Sequence, residues 1–434
     1  MHSVSTDYKL KSYRTKTVFE DTGWLLSEPF EDEPSLIRAI YSEKQLNLKD
    51  DSYGLFKYAD WLPVRRYMEG SSAPVTFKSE GLANYLGLPY LYIVFSGWYP
   101  KIGAKMPTCS FKETEVYPVC ARLDQSVKDK VMVVASAGNT ARSFAKVCSD
   151  NNIPLLLCMP LSRIDALWFD KPLNPCVKLI CTPEGSDYYD AIYLSEEVCK
   201  NEMFFAEGGA KNVARRDGMG TTMLSAVTHI GKIPDYYFQA IGSGTGAVAA
   251  WEANLRFIED GRFGSNKTKL MLSQNIPFTP MYDAWMNKSR QIPEIDPEKA
   301  RLQVSQIYSR VLSNRKPPYG VPGGLFDAMV DTSGEMFAVT NEQAIEASEI
   351  YEKYEGVDIH PAAAVALASL IQAKDKNMLD INKNILLNIT GGGEKLYFEE
   401  RKNKLSFLEP RFILKAPSEI NEVVDKLIYE YSML

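Results

Sequence analysis

In the stretch MPTCSFKETE, Met106 to Glu115, one lysine follows a turn of small residues and opens a helical pattern. Lys112 there meets the positive end of the helix dipole, the least favourable place on a helix for a protonated amine. A surface lysine gains from the opposite end. The position suits a lysine that works as a neutral amine or is bonded through carbon. Ser110 and Glu113 read as an S-x-x-E capping box, which would put Lys112 in the first helical turn. Cys109 is a rival nucleophile, but no histidine is near it in sequence, and small residues commonly fill tight turns.

Three further turns carry groups that could bind a ligand. GSGTG, Gly242 to Gly246, is followed by Ala247 and matches the G-x-G-x-x-A dinucleotide fingerprint. That fingerprint needs an acidic residue at the end of the next strand, and TKLMLSQN ends instead in Ser273 and Gln274. NAD is therefore disfavoured. The bare amides of Gly242, Ser243, Gly244, Thr245 and Gly246 before a helix suit a single phosphate. SAGNT, Ser136 to Thr140, is a second amide-rich turn, fit for a carboxylate, with the Asn139 amide able to reach a phenolic oxygen. TGGGEK places Thr390 at a strand end, where its hydroxyl could bond a ring nitrogen. The paired Arg215 and Arg216 ordinarily mark a solvated face, and near an anion either could clamp a phosphate. His229 and His360 read as structural.

These residues need elements to position them. Val131 to Ala135 is a short β-branched run, SAGN a turn, and Ala141, Phe144, Ala145 and Cys148 recur at helical spacing. A second apolar run, Leu155 to Met159, completes a strand–helix–parallel strand unit. DYYFQAIGSGTGAVAAWEANLRFIED and NILLNITGGGEK repeat the same grammar. Alternating strands and helices predict an α/β protein with parallel sheets flanked by helices. In such sheets ligands bind beyond the carboxyl ends of the strands, where all three glycine turns fall. The Pro- and Lys-rich segment Phe278 to Gly320 reads as an insertion of helix and loop. NEQAIEASEIYEKYEG and HPAAAVALASLIQAKDK read as two helices.

Bulk properties exclude several classes. The 434 residues carry 49 Lys plus Arg against 55 Asp plus Glu, a formal charge of −6. That balance argues against nucleic acid or an anionic membrane as the main partner. No apolar run approaches a membrane span, and MHSVSTDYKLKSYR lacks a signal-peptide core. Seven cysteines without a pairing pattern fit a reducing cytoplasm. Three scattered histidines argue against a His-built metal centre.

Taken together, TCSFKET, SAGNTA, GSGTG and NITGGGEK resemble, in order and spacing, the fold-type II pyridoxal-phosphate enzymes of the threonine synthase family. PVTFKSEGLA and GVDIHPAAAVALASL resemble the family's early substrate-side motif and late helix. FSGWYPKIGAKMPTCSFKETE and ARRDGMGT are most similar to its cysteate-forming members. The resemblance implies a tryptophan synthase beta-like, two-domain fold. Residues 1–50 would form an N-terminal hairpin, 51–117 and 235–434 a large cofactor-binding domain, and 118–234 a small mobile substrate domain. Family members often begin with a cysteine ribbon. YKLKSYRTKTVFEDTGWLLSE keeps that outline without a cysteine, so packing rather than zinc must hold it.

The resemblance also assigns roles. Lys112 would bond to the aldehyde of pyridoxal 5'-phosphate and later act as base at the substrate α-carbon. Gly242, Ser243, Gly244, Thr245 and Gly246 would hold the cofactor phosphate, Asn139 its phenolic oxygen, and Thr390 its ring nitrogen. Ser136, Ala137, Gly138 and Thr140 would bind the substrate carboxylate; Lys105, Arg215 and Arg216 would meet the leaving phosphate or sulfite. The implied reaction is β-replacement on O-phospho-L-serine with sulfite, giving L-cysteate and phosphate, in a homo-oligomer. Two alternatives remain open: a threonine synthase acting on O-phospho-L-homoserine with water, and a non-catalytic cofactor-binding regulatory protein.

Overall fold

The computed structural model describes residues 5–402, 404–414 and 417–433; His2 lies outside them. Two open sheets organise the chain. One has six strands in the order Glu335–Val339, Lys269–Asn275, Tyr236–Ala240, Ile385–Ile389, Leu91–Phe95 and Val75–Lys78. All its neighbours pair in parallel except the last two. The other is wholly parallel, in the order Phe204–Ala206, Val131–Ala135, Leu155–Pro160, Val177–Thr182 and Phe412–Ile413. Continuous apolar runs such as LLLCMP are buried on both faces, as helix-covered parallel strands must be.

The predicted βαβ unit forms, with helix Asn139–Asp150 between its two strands. Helix Thr245–Asp260 follows Tyr236–Ala240 through the GSGT turn. Helix Asn341–Glu355 starts at a capping box between Thr340 and Gln343. Helix Pro361–Asp375 is apolar nearly all round and lies in the core against the six-stranded sheet.

The course of the chain departs from the expected division in two places. Residues 235–434 were assigned to the larger domain, yet strand Phe412–Ile413 extends the five-stranded sheet. Helix Ile420–Ser432 packs on it through Val424 and Leu427, and the Tyr431 hydroxyl donates to the Leu155 carbonyl at 2.6 Å. The five-stranded sheet ends early, and this returning segment closes its open edge. Helix Val213–Ile230, assigned to the smaller domain, lies against the six-stranded side, where Ser225 Oγ is 2.8 Å from Thr76 Oγ1.

The N-terminal strands Tyr8–Ser12 and Val18–Phe19 pair with Ile37–Tyr41 in an antiparallel sheet. No cysteine lies there, and a buried ion pair does the fastening. Arg122 donates to Asp21 at 2.7 and 2.9 Å, to Asn212 at 3.1 Å and to the Leu25 carbonyl at 2.9 Å. Among the described residues no helix is long and apolar enough to cross a membrane.

Candidate active site

A cavity of ≈ 530 Å³ opens between the two sheets, lined by Lys112, Ser136–Thr140, Gly242–Gly246, Arg215, His360 and Thr390. Four stretches that lie far apart in sequence therefore share one wall. Thr390 and Lys112 are brought together by backbone: Phe111 N donates to the Thr390 carbonyl at 3.0 Å, and Gly392 N to the Cys109 carbonyl at 3.1 Å. A Cβ on Gly391 would stand 2.2 Å from His360 Nδ1, so glycine there lets the two segments close.

Lys112 is the first residue of helix Lys112–Arg122. Its amine is held below the ordinary lysine range, first by burial and then by the Arg215 charge, against the pull of Glu115. Lys112 Nζ lies 3.4 Å from Glu115 Oε2. Glu115 Oε1 accepts from Thr140 at 3.2 Å and pairs with Arg215 at 3.0 Å, whose Nε stands 3.0 Å from Glu207. Two buried carboxylates thus face one guanidinium beside the reactive amine. Sequence reasoning missed both acids. Glu115 was within reach, three residues after Lys112 on one helical face; Glu207, in a loop, carried no signal.

The expected capping box does not form. Glu113 turns away from Ser110 and accepts from the Thr108 hydroxyl at 2.8 Å, while Ser110 Oγ receives Lys112 N at 3.3 Å. Burial raises the Glu113 carboxyl to about 7. A raised acid costs nothing below its unfolded value of 4.5 and destabilises the fold increasingly as pH climbs to about 7. Glu113→Gln should therefore leave stability unchanged near pH 4.5 and add about 3 kcal/mol above pH 7. Urea denaturation at the two pH values checks this.

Cys109 is fully buried against Trp168 and Tyr397, and burial raises its thiol far above the ordinary range. Its φ of 52° lies in the left-handed region, which favours glycine. It is a turn residue with no nucleophilic role. Cys109→Gly relieves about 1 kcal/mol of backbone strain and loses a similar amount of side-chain burial. Stability should stay within about 1 kcal/mol and turnover should be unchanged, as thermal melts and steady-state rates would show.

The GSGTG turn meets the start of the sixteen-residue helix Thr245–Asp260. The amides of Gly242, Ser243, Gly244 and Gly246 find no acceptor among the described residues. Gly244 has φ +78°, and a Cβ on Gly242 would lie 2.9 Å from the Val311 carbonyl. Unpaired donors at a helix N-terminus fit a phosphate. The Thr390 hydroxyl also makes no hydrogen bond among the described residues, although the residue is buried. These groups suit pyridoxal phosphate: a donor-rich cup for its phosphate, a neutral hydroxyl, an amide and a desolvated lysine.

At the SAGNT turn, Ser136 Oγ accepts from Gly138 N and Ala141 N, both at 3.1 Å. The amides of Ala137, Asn139 and Thr140 remain unpaired among the described residues. Asn139 lies between Arg142, which donates to its Oδ1 at 3.0 Å, and His360, whose Nδ1 is 3.4 Å from Nδ2. His360, read from the sequence as structural, is among the residues that line the cavity. His229, in the last turn of its helix beside Tyr92, does not.

Two predicted anion ligands fall elsewhere. Arg216 is fully buried behind the cavity, paired with Glu252 at 3.1 Å and bonded to the carbonyls of Ala210 and Ile37. On one helix, adjacent residues point about 100° apart, so only Arg215 can face the cavity. Lys105 is exposed on the short strand Ala104–Lys105, away from the cavity. Lys211 and Lys316, unnoticed in the sequence, stand on the cavity wall instead. The predicted insertion is helix and loop, and Val311–Asn314 and Lys316–Pro318 wall one side of the cavity.

Comparison with known proteins agrees with this geometry. Residues 98–391 match the family of pyridoxal-phosphate dependent enzymes. The cysteate synthase of Methanocella paludicola is 48% identical over 396 residues, covering 91% of each chain. That of Methanosarcina barkeri is 47% identical over 388 residues, 89% of this chain and 92% of its own. Maize serine racemase superposes with a TM-score of 0.56 at 14% identity, over 76% of this chain and 94% of its own. The processed threonine deaminase isoform 2 of Solanum lycopersicum gives 0.56 at 18% identity, over 76% and 87%. These structural likenesses establish a fold-type II architecture. The chain is a pyridoxal-phosphate dependent enzyme and belongs to the cysteate synthase family.

Proposed function

We propose that the enzyme replaces the phosphate of O-phospho-L-serine with sulfite, giving L-cysteate and phosphate. Its relatives at 47–48% identity are cysteate synthases, which supports this over the phosphohomoserine alternative. One structural observation carries the assignment: the Lys112 amine shares a single cavity with an unpaired amide cup, an unpaired amide turn and Arg215.

In this assignment Gly242–Gly246 hold the cofactor phosphate, Asn139 the phenolic oxygen and Thr390 the ring nitrogen. Pyridoxal phosphate, when bound, supplies a conjugated ring that draws electrons from the substrate α-carbon. The amides of Ala137, Asn139 and Thr140, with Ser136 and Gly138, hold the substrate carboxylate. Lys112, its amine lowered by desolvation, takes the α-proton and returns it. Glu115 orients the amine between transfers. Arg215, with Lys211 and Lys316 nearer solvent, draws the anionic phosphate and sulfite inward. Movement of the five-stranded unit toward the larger sheet would exclude water, in a cytoplasmic homo-oligomer.

Phosphate release from O-phospho-L-serine by the cofactor-loaded protein, with and without sulfite, tests this when the product is identified by mass. Sulfite-dependent release with cysteate supports it. Release only from O-phospho-L-homoserine moves the assignment to threonine formation. No release from either substrate points to a silent binding protein.

A further inference from the structure

Asn139, Arg142, Glu394 and His360 close a ring of polar contacts across the two units. Arg142 Nη2 donates to Asn139 Oδ1 at 3.0 Å and to Glu394 Oε1 at 3.1 Å. Glu394 Oε1 lies 3.2 Å from His360 Nε2, and His360 Nδ1 lies 3.4 Å from Asn139 Nδ2. Asn139 and Arg142 belong to the helix of the five-stranded unit; His360 caps helix Pro361–Asp375, and Glu394 opens helix Glu394–Glu400.

The orientation of every member follows from what each can donate. Arg142 is fixed by the Thr108 carbonyl at 2.9 and 3.2 Å, by the Ala166 carbonyl at 3.0 Å, and by Trp168, whose ring centre is 4.1 Å away. A guanidinium only donates, so the Asn139 atom facing it is oxygen and the atom facing His360 is nitrogen. Glu394 Oε1 accepts from Arg142 Nη2 at 3.1 Å in an ion pair, so the carboxylate only accepts. The Asn139 Nδ2 that faces His360 can only donate, so Nδ1 is the ring's accepting nitrogen in this arrangement, and Nε2 lies 3.2 Å from Glu394 Oε1. The other groups around the ring leave this pattern intact. Asp358 accepts from Glu394 N at 3.1 Å, and the His360 backbone N donates to the Gly391 carbonyl at 2.9 Å.

We infer that His360 is a positioning residue: it takes one N–H of the Asn139 amide and thereby aims the other at the cofactor's phenolic oxygen. The inference rests on the assignment of Asn139 to that oxygen. An ionised carboxylate in place of His360 would face Glu394 and repel it, whereas the imidazole turns Nδ1 to the Asn139 amide and sets Nε2 3.2 Å from Glu394 Oε1.

The test reads the visible absorption of the cofactor-loaded protein and the pH midpoint of its change, not activity. Asn139→Ala should move the midpoint by about one pH unit, the loss of one hydrogen bond to a charged oxygen. His360→Asn keeps an acceptor at the Nδ1 position and should behave as wild type. His360→Gln keeps a group at the Nε2 position only and should shift the midpoint as Asn139→Ala does. Asparagine and glutamine variants that behave alike overturn the inference. An Asn139→Ala spectrum unchanged from wild type overturns the underlying assignment, and the inference with it. A merely structural role would lower the melting temperature of both His360 variants without separating their spectra.

Discussion

Lys112→Ala removes the visible absorbance of the cofactor-loaded protein and lowers turnover by at least about 10³-fold. The size follows from two tasks resting on one atom. Among the described residues the amine is the only part-buried lysine nitrogen that lines the cavity with the cup, Asn139 and Thr390, while Lys211 and Lys316 are exposed. Neither surface lysine can replace it. Burial lowers the Lys112 amine, and the Arg215 charge adds to that. A base whose folded value is depressed is neutral at lower pH than a free lysine. The rate at which cofactor-free protein takes up pyridoxal phosphate should thus rise with pH and level off below the ordinary lysine value of 10.5. An unchanged spectrum in Lys112→Ala, or a rate still climbing at 10.5, would remove the lysine from this role.

Arg216→Met should cost about 3–5 kcal/mol of stability while leaving the absorption of the folded fraction unaltered. The guanidinium is fully buried, and Glu252, which also accepts from the Tyr13 hydroxyl at 2.9 Å, is left charged and unpaired when it goes. Arg216→Met with Glu252→Gln should recover much of the loss, because an amide keeps the Tyr13 bond without a stranded charge. Denaturant titration of the single and double variants checks both statements. The same substitution at Arg215, whose charge faces Lys112, should alter the spectrum and the uptake rate as well. Equal spectral effects at the two positions would undo the distinction drawn between them.

The candidate site was legible wherever function rests on backbone. GSGTG and SAGNT announce themselves because unpaired amides need glycine or small residues in a turn before a helix, and those residue types cannot be hidden. Lys112 was legible because its place on the helix was wrong for a surface charge. Side-chain partners were not. Glu207 reaches Arg215, and Glu394 reaches Arg142 and His360, across separations of 8 to more than 200 residues. No local pattern marks such pairs, since burial and topology alone bring them within reach. The S-x-x-E signature misled for the same reason: Thr108 outcompeted Ser110 for Glu113 through the geometry of a turn that spacing does not encode.

From sequence alone came the parallel α/β class, the strand-end turns, the lysine and the family, because periodicity and turn chemistry are local properties of the chain. Only the tertiary structure decided which of Arg215 and Arg216 faces the cavity, and that Lys105 does not. It also decided that the C-terminal segment seals the smaller sheet and that His360 belongs to the site. Each of these depends on which face of an element is buried against a distant one, a choice made by packing the whole chain.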